Sequence, residues 1–257
     1  MSFERYVALG DSTTEGLEDR YPDGAYRGWA DRFAQLVAAE SPGLRYANLA
    51  IRGRKLPQIR AEQLEPALAM KPDLASVLGG LNDILRRDVD LDARAGDLDA
   101  IVAALREAGA TVLVMTFPDP TIVITVAAAR IRARVAAFNE MIRAVAARRG
   151  AVLVDMERKS EPHPSFWCAD RLHANERGHE WIAAMAATEL GIPVPDGDWN
   201  AELPPHRPPA RPIRLASDAA WMGRHLAPWV MRRVRGRSSG DGIDPKRPKL
   251  APVRPAS

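Results

Sequence analysis

Cysteine is almost missing from this 257-residue chain. Cys168 stands alone, which excludes an intramolecular disulfide and a cysteine-rich metal site. No pair of histidines has the spacing of a metal-ligand motif, so no metal and no organic cofactor is expected. No apolar run reaches the ~18 residues of a membrane span. The opening Met1-Ser2-Phe3-Glu4-Arg5 lacks the basic region and apolar stretch of a signal peptide, so the expectation is a cytoplasmic protein. The glycine-flanked block near the start lacks the Gly-Lys-Ser/Thr ending of a phosphate loop, which counts against nucleotide binding. There is no internal repeat.

Charge and proline are unevenly spread. The net charge is +3, but residues 201–257 hold 12 Lys or Arg against 4 Asp or Glu, so the basic pI is largely a property of this tail. About half of the prolines also fall there. The division expected is an α/β domain over 1–195 and a basic, Pro/Arg-rich extension over 196–257 with one short amphipathic helix and a mostly disordered end.

Short apolar or β-branched runs recur at Tyr6–Leu9, Arg45–Ile51, Leu74–Leu78, Thr111–Phe117 and Ala151–Met156. Such runs suit strands buried on both faces. Helical stripes lie between them: Trp29, Phe33, Leu36 and Val37; Leu98, Ile101, Val102 and Leu105; Val135, Phe138, Ile142 and Val145. A last helix is predicted from about Glu176 to Leu190, with Asn175 as its N-cap. Strands alternating with helices imply a parallel sheet covered on both faces, because right-handed crossovers put the helices there. The predicted architecture is a three-layer α/β/α sandwich on a five-stranded parallel sheet.

Four blocks follow strand ends: Gly10-Asp11-Ser12, Asn48 to Gly53, Gly79-Gly80-Leu81-Asn82-Asp83, and Asp170-Arg171-Leu172-His173. Open α/β sheets build their sites at the carboxyl ends of their strands, so all four can face one crevice. A serine nucleophile needs a base, and a histidine base needs a partner that fixes its tautomer. Asp170 can fold back through a turn onto one ring nitrogen of His173 and leave the other for Ser12. The N–H groups of Ser12 and Gly53 and the side-chain amide of Asn82 could serve a developing oxyanion, such donors being worth about 3–4 kcal/mol each.

These four blocks resemble those of the SGNH (GDSL) hydrolase superfamily, over roughly Arg5 to Leu190. The resemblance implies a flavodoxin-like fold and a GDSL-type ester hydrolase of the carboxylesterase, lipase or acylhydrolase kind. It implies Ser12 as nucleophile and first oxyanion donor, Gly53 and Asn82 as the other donors, and His173 as base with Asp170 behind it. The first block departs from the pattern, reading Gly-Asp-Ser-Thr where Gly-Asp-Ser-Leu is familiar.

Each of these residues also suits an ordinary structural role. Gly-Asp-Ser can be an ordinary turn, Gly53 a turn glycine, and Asn82 the cap of a helix starting near Asp83. Asp11 and Asp83 read as loop braces bonded to nearby amides. His179 is expected on the surface of the last helix, His163 at the crevice edge or in a plain loop, and Cys168 as a packing residue. The apolar segment Pro118–Val126 either walls an acyl pocket or packs inward ahead of the next helix. Tyr21 and Tyr26, in the loop from Glu18 to Arg27, are placed to meet an alcohol or sugar.

The expected activity is hydrolysis of carboxylic esters of a lipid, sugar or small alcohol through an acyl-enzyme on Ser12, rising with pH as His173 loses its proton. The alternatives are an acyltransferase with the same site and a non-catalytic binding module recruited by its tail. The expected partner is a small-molecule or lipid ester. Nucleic acid is not expected, since no recognition fold accompanies the charge. In the tail, a helix over Asp218–Arg233 would carry Trp221, His225, Leu226, Trp229 and Val230 on one side, interrupted at Pro228. Docking of these groups on the acidic body is favoured over a peripheral anchor at an anionic membrane.

Overall fold

A computed structural model of the chain describes residues 2–86, 89–158, 163–197, 199, 201–207 and 209–254. Within these residues the elements run β1 (Arg5–Gly10), α1 (Ser12–Glu15), α2 (Gly28–Glu40), β2 (Arg45–Asn48), α3 (Leu56–Ala69), β3 (Leu74–Leu78), α4 (Leu81–Ile84), α5 (Leu91–Glu107), β4 (Thr111–Met115), α6 (Ala128–Arg149), β5 (Val152–Val154), α7 (Glu176–Glu189), α8 (Arg211–Trp221), α9 (Ala227–Val234) and β6 (Arg247–Pro252). Met1, the boundary residue Asn200 and residues 255–257 lie outside the described residues, as do the side chains of Trp229, Val230 and Arg233.

The strand order is β5-β4-β3-β1-β2-β6, with β1 to β5 parallel. The chain leaves β1 for β2 on one side, then crosses back to β3, β4 and β5 on the other. Right-handed crossovers therefore put α2 on one face and α3, α5 and α6 on the opposite face. The contacts agree: α2 packs on α7, while α3, α5 and α6 pack in sequence on each other. β1 and β3 are buried along nearly their whole length, and the helical stripes over Leu98–Leu105 and Val135–Val145 supply the buried side chains of α5 and α6. The reversal of direction beside β1 opens a crevice at the carboxyl end of that strand, where Ser12 follows.

Among the described residues the sheet has six strands rather than the five expected. β6 pairs antiparallel with β2, from Arg45 opposite Pro252 to Asn48 opposite Arg247. Its sequence, Arg-Pro-Lys-Leu-Ala-Pro, carries two prolines and reads as a disordered tail. Proline is tolerated on an edge strand, where one row of N–H groups is not needed for pairing. The final stretch of the chain thus closes the edge of the sheet at β2.

The tail helix also begins earlier than expected, at Arg211, with Pro212 in its first turn, where a missing N–H costs nothing. Pro228 does not interrupt it. A π-helical turn over Met222–Leu226 precedes α9 and carries the helix through, as expected where proline removes a regular helical bond.

Candidate active site

Ser12 is the first residue of α1, capped by Asp11, whose Oδ1 accepts from the Thr13 N–H at 3.3 Å. Gly10 lets β1 approach β3 closely here, since a Cβ would stand 2.2 Å from the Leu78 carbonyl oxygen. Gln63 brackets the same residue, accepting from the Gly10 N–H and donating to its carbonyl, each at 2.9 Å.

His173 comes from a small loop closed by Cys168 N–H donating to the His173 carbonyl at 2.9 Å and by a bridge between Trp167 and Ala174. Arg171 takes a left-handed φ of 58° there. This turn lets Asp170 Oδ1 accept from the N–H groups of Leu172 and His173, both at 3.0 Å. Asp170 Oδ2 lies 2.6 Å from His173 Nδ1, and His173 Nε2 lies 3.0 Å from Ser12 Oγ. Burial pushes the Asp170 carboxyl up, but the His173 ring and the two backbone donors outweigh it and hold the group below its ordinary range. Asn175 caps α7 as expected, accepting from Gly178 N–H at 3.0 Å.

Ser12, Asp170 and His173 are thus brought into one hydrogen-bonded chain. Gly53 and Asn82 reach the same crevice by another route. Asn82 sits inside α4, whose N-cap is Gly80, so its side chain is not a cap. Its Nδ2 donates to Asp11 Oδ2 and to the Arg54 carbonyl, both at 3.2 Å, tying the first and third blocks to the residue just after the second. Gly53 has a φ of 77°, and a Cβ there would meet Ser238 Oγ at 2.5 Å; glycine is required by conformation and by the tail packed on it. The N–H groups of Ser12 and Gly53 have no acceptor among the described residues.

Asp11 and Asp83 are braces. Burial, the largest influence, raises Asp11 to about 6 against the lowering effect of its hydrogen bonds. Asp83 accepts from Leu56 N–H at 3.0 Å and from Arg94 at 3.1 Å.

Of the other expectations, those for His179 and Tyr21 are corrected, while Cys168 keeps its expected packing role. His179 is fully buried, not on the surface of its helix. Its Nδ1 accepts from the Trp29 N–H at 3.1 Å and its Nε2 donates to the Leu17 carbonyl at 2.8 Å. It therefore serves a free N–H in the first turn of α2. Tyr21 is buried with its hydroxyl on Asp31, 3.1 Å away, so it meets no substrate. The Tyr26 ring is covered by the guanidinium groups of Arg20 and Arg52. His163 turns to Ser165 and the Pro204 carbonyl. Cys168 is half-buried and pushed up to about 12, chiefly by burial, a thiol suited to packing.

One pair was missed altogether. Buried Glu15 accepts from the Arg52 N–H at 2.7 Å and from its guanidinium, which fixes the backbone just before Gly53. The signal was available: Glu15 lies three residues after Ser12, between Thr14 and Gly16 just after the end of a buried strand, and an acid held there needs a partner.

A cavity of about 460 Å³ opens beside His173. Its walls include Leu81 and Ile84 of α4, Ile124 of the segment after β4, and Trp221 and Leu226 of the tail. The segment Pro118–Val126 satisfies both readings, for Ile124 is buried and also lines this cavity. The tail is held here by Trp221 Nε1 donating to the Asp170 carbonyl at 2.8 Å and by Arg171 paired with Asp218 at 2.6 Å.

Residues 8–181 match the model of the GDSL-like lipase/acylhydrolase family. An acetylxylan esterase from Geobacillus stearothermophilus is 23% identical over 212 residues, covering 74% of this chain and 95% of that protein. A solved structure of an acetylxylan esterase from the same organism superimposes with a TM-score of 0.62 at 22% identity, over 75% of this chain and 96% of that one. An α/β hydrolase from the metagenome of Lake Arreo, Spain, superimposes with a TM-score of 0.63 at 24% identity, over 74% and 96% of the two chains. At these identities the structures speak for the fold.

Proposed function

The chain belongs to the GDSL-like lipase/acylhydrolase family and is an ester hydrolase, and from this premise we propose that it cleaves carboxylic esters through an acyl-enzyme on Ser12. The observation that carries the proposal is the chain of contacts from Ser12 Oγ to His173 Nε2 at 3.0 Å and from His173 Nδ1 to Asp170 at 2.6 Å. In this reading Ser12 Oγ attacks the ester carbonyl while His173 takes its proton. Asp170, kept ionised by its partners, holds the Nδ1–H tautomer and stabilises the imidazolium. The imidazolium protonates the departing alcohol, and the neutral ring then activates the water that releases the acid.

The developing oxyanion would be received by the Ser12 and Gly53 N–H groups, which have no competing acceptor among the described residues. Asn82 would join by giving up one of its present acceptors, Asp11 or the Arg54 carbonyl. The acyl chain would occupy the cavity beside His173. Its volume of about 460 Å³ and its Ile, Leu and Trp walls favour a chain longer than the acetyl group named for the Geobacillus relative.

A fluorophosphonate probe followed by intact-mass measurement tests the nucleophile. One adduct on the wild type and none on Ser12→Ala is the expected result. Labelling that persists in Ser12→Ala would overturn it.

A further inference from the structure

A second cavity, of about 270 Å³, lies on the other side of the candidate site, with Gly53 and Asn82 in its wall. It is polar where the first is apolar. Its cations come from both parts of the chain: Lys55 and Arg86 from the body, Arg232 and Arg237 from the tail. None of the four has an acidic partner within salt-bridge distance among the described residues. The one carboxylate in the wall, Asp241, is 3.8 Å from Arg54 and accepts from the Ser238 N–H at 2.8 Å. The nearby Asp83 is held by Arg94 at 3.1 Å. Among the described residues the wall therefore gathers four cations around an opening whose one carboxylate, Asp241, already faces Arg54 and the Ser238 N–H.

We propose that this cavity is an anion subsite for the alcohol part of the substrate, and that the physiological ester carries a phosphate on that alcohol. The proposal rests on the reading of Ser12 as nucleophile, and extends it from ester to substrate class. Arg232 lines both cavities, so an ester bound at Ser12 has an apolar place for its acyl chain and a cationic place for its alcohol. Three of the four cations are arginines, whose planar forks match phosphate oxygens. The opening has room for a group the size of glycerol phosphate. The family match ends at residue 181, so the two tail arginines are features of this chain that the match does not cover.

The test begins with binding, which does not depend on turnover. Glycerol 3-phosphate, glycerol and inorganic phosphate are titrated calorimetrically into the full-length Ser12→Ala protein, with and without Arg232→Ser and Arg237→Ser together. Glycerol 3-phosphate is expected to bind, glycerol to give no heat, and the double substitution to weaken binding at least about tenfold, as loss of charge-assisted hydrogen bonds should. Equal affinity in the double variant, or no binding of glycerol 3-phosphate, overturns the subsite. Inorganic phosphate binding as tightly as glycerol 3-phosphate overturns the assignment to the alcohol part and leaves a free-anion site.

The second arm compares 1-octanoylglycerol 3-phosphate with 1-octanoylglycerol on the wild-type chain and on the same arginine pair variant. The expected kcat/KM ratio favours the phosphorylated ester about tenfold or more at low salt, and shrinks toward one in the variant and in high salt. A wild-type ratio of one overturns the proposal. Arginine-dependent binding with neither ester cleaved keeps the anion site and overturns the reading of Ser12 instead.

Discussion

The ends of the parallel strands and the tail that crosses them are built on different principles. At the strand ends, each functional group is set by its own few residues: Asp11 caps the turn that presents Ser12, and Asp170 bonds the N–H groups of the loop that presents His173. The tail has no such local logic. Of the large apolar side chains that stand exposed among the described residues, Ile213, Leu215, Met222 and Met231 belong to it and only Val126 to the body. Separate long-range contacts hold it: Trp221 on the Asp170 carbonyl, Asp218 between Arg171 and Thr125, and Lys246 beside Asp31 at 2.8 Å. A site made of turns survives as motif; a strap made of distant contacts leaves no motif behind.

The sharpest way to break the first half of this contrast is at His173. His173→Ala should lower kcat on any cleaved ester by about 10⁴-fold or more, with thermal stability kept, and Asp170→Asn by about 10²- to 10⁴-fold. A loss below tenfold in His173→Ala, read by initial rates at saturating ester, would remove it as the base.

The strap breaks at Lys246. Its partly buried ammonium pairs with buried Asp31, which also receives the hydroxyls of Tyr21 and Tyr46, at 3.1 and 3.0 Å. Lys246→Met leaves that carboxylate buried without its cation, and should cost about 3–5 kcal/mol in urea unfolding. Adding Asp31→Asn should return part of the loss. No recovery in the double variant would show that the ion pair does not hold the strap.

The body hides two titrations of opposite sign. Burial lowers His179 from its ordinary 6.5 to about 4, so its contribution is present above 6.5 and lost as the pH falls toward 4. Burial raises Asp11 from 3.8 to about 6, so its contribution is full below 3.8 and lost as the pH rises through 6. Each amounts to about 3 kcal/mol across its window, and the two slopes oppose each other between pH 4 and 6. Asp11→Asn should therefore lose stability on acidification from pH 6.5 to 4, while His179→Leu, weaker throughout, should gain it. Parallel urea curves for the two variants would contradict both assignments.

Where the two regions meet, effects are smaller. Ile124→Ala from the body and Trp221→Ala from the strap both enlarge the cavity beside His173. Each should shift the preferred acyl length, changing kcat/KM ratios between short and long p-nitrophenyl esters by about tenfold. Only Ile124→Ala having an effect would show that the strap is no wall of the pocket.

The same contrast explains what could be read in advance. Five strands, the last helix with its Asn175 cap, and the Ser12, Gly53, Asn82 and Asp170–His173 blocks were legible because propensity and turn chemistry act over a few residues. β6 was not, since an Arg-Pro-Lys-Leu-Ala-Pro strand exists only where β2 offers an edge. His179 was misplaced because helical period says nothing of the Trp29 N–H, 150 residues away, that it serves. The Glu15–Arg52 pair joins two strand ends that only the fold brings together.

The central claim is that Ser12 does the chemistry, and p-nitrophenyl esters from acetyl to palmitoyl test it most directly, with wild type and Ser12→Ala measured side by side. The account predicts turnover by the wild type with an optimum beyond acetyl, and none above background by Ser12→Ala at unchanged thermal stability. Equal turnover by the two proteins would contradict it.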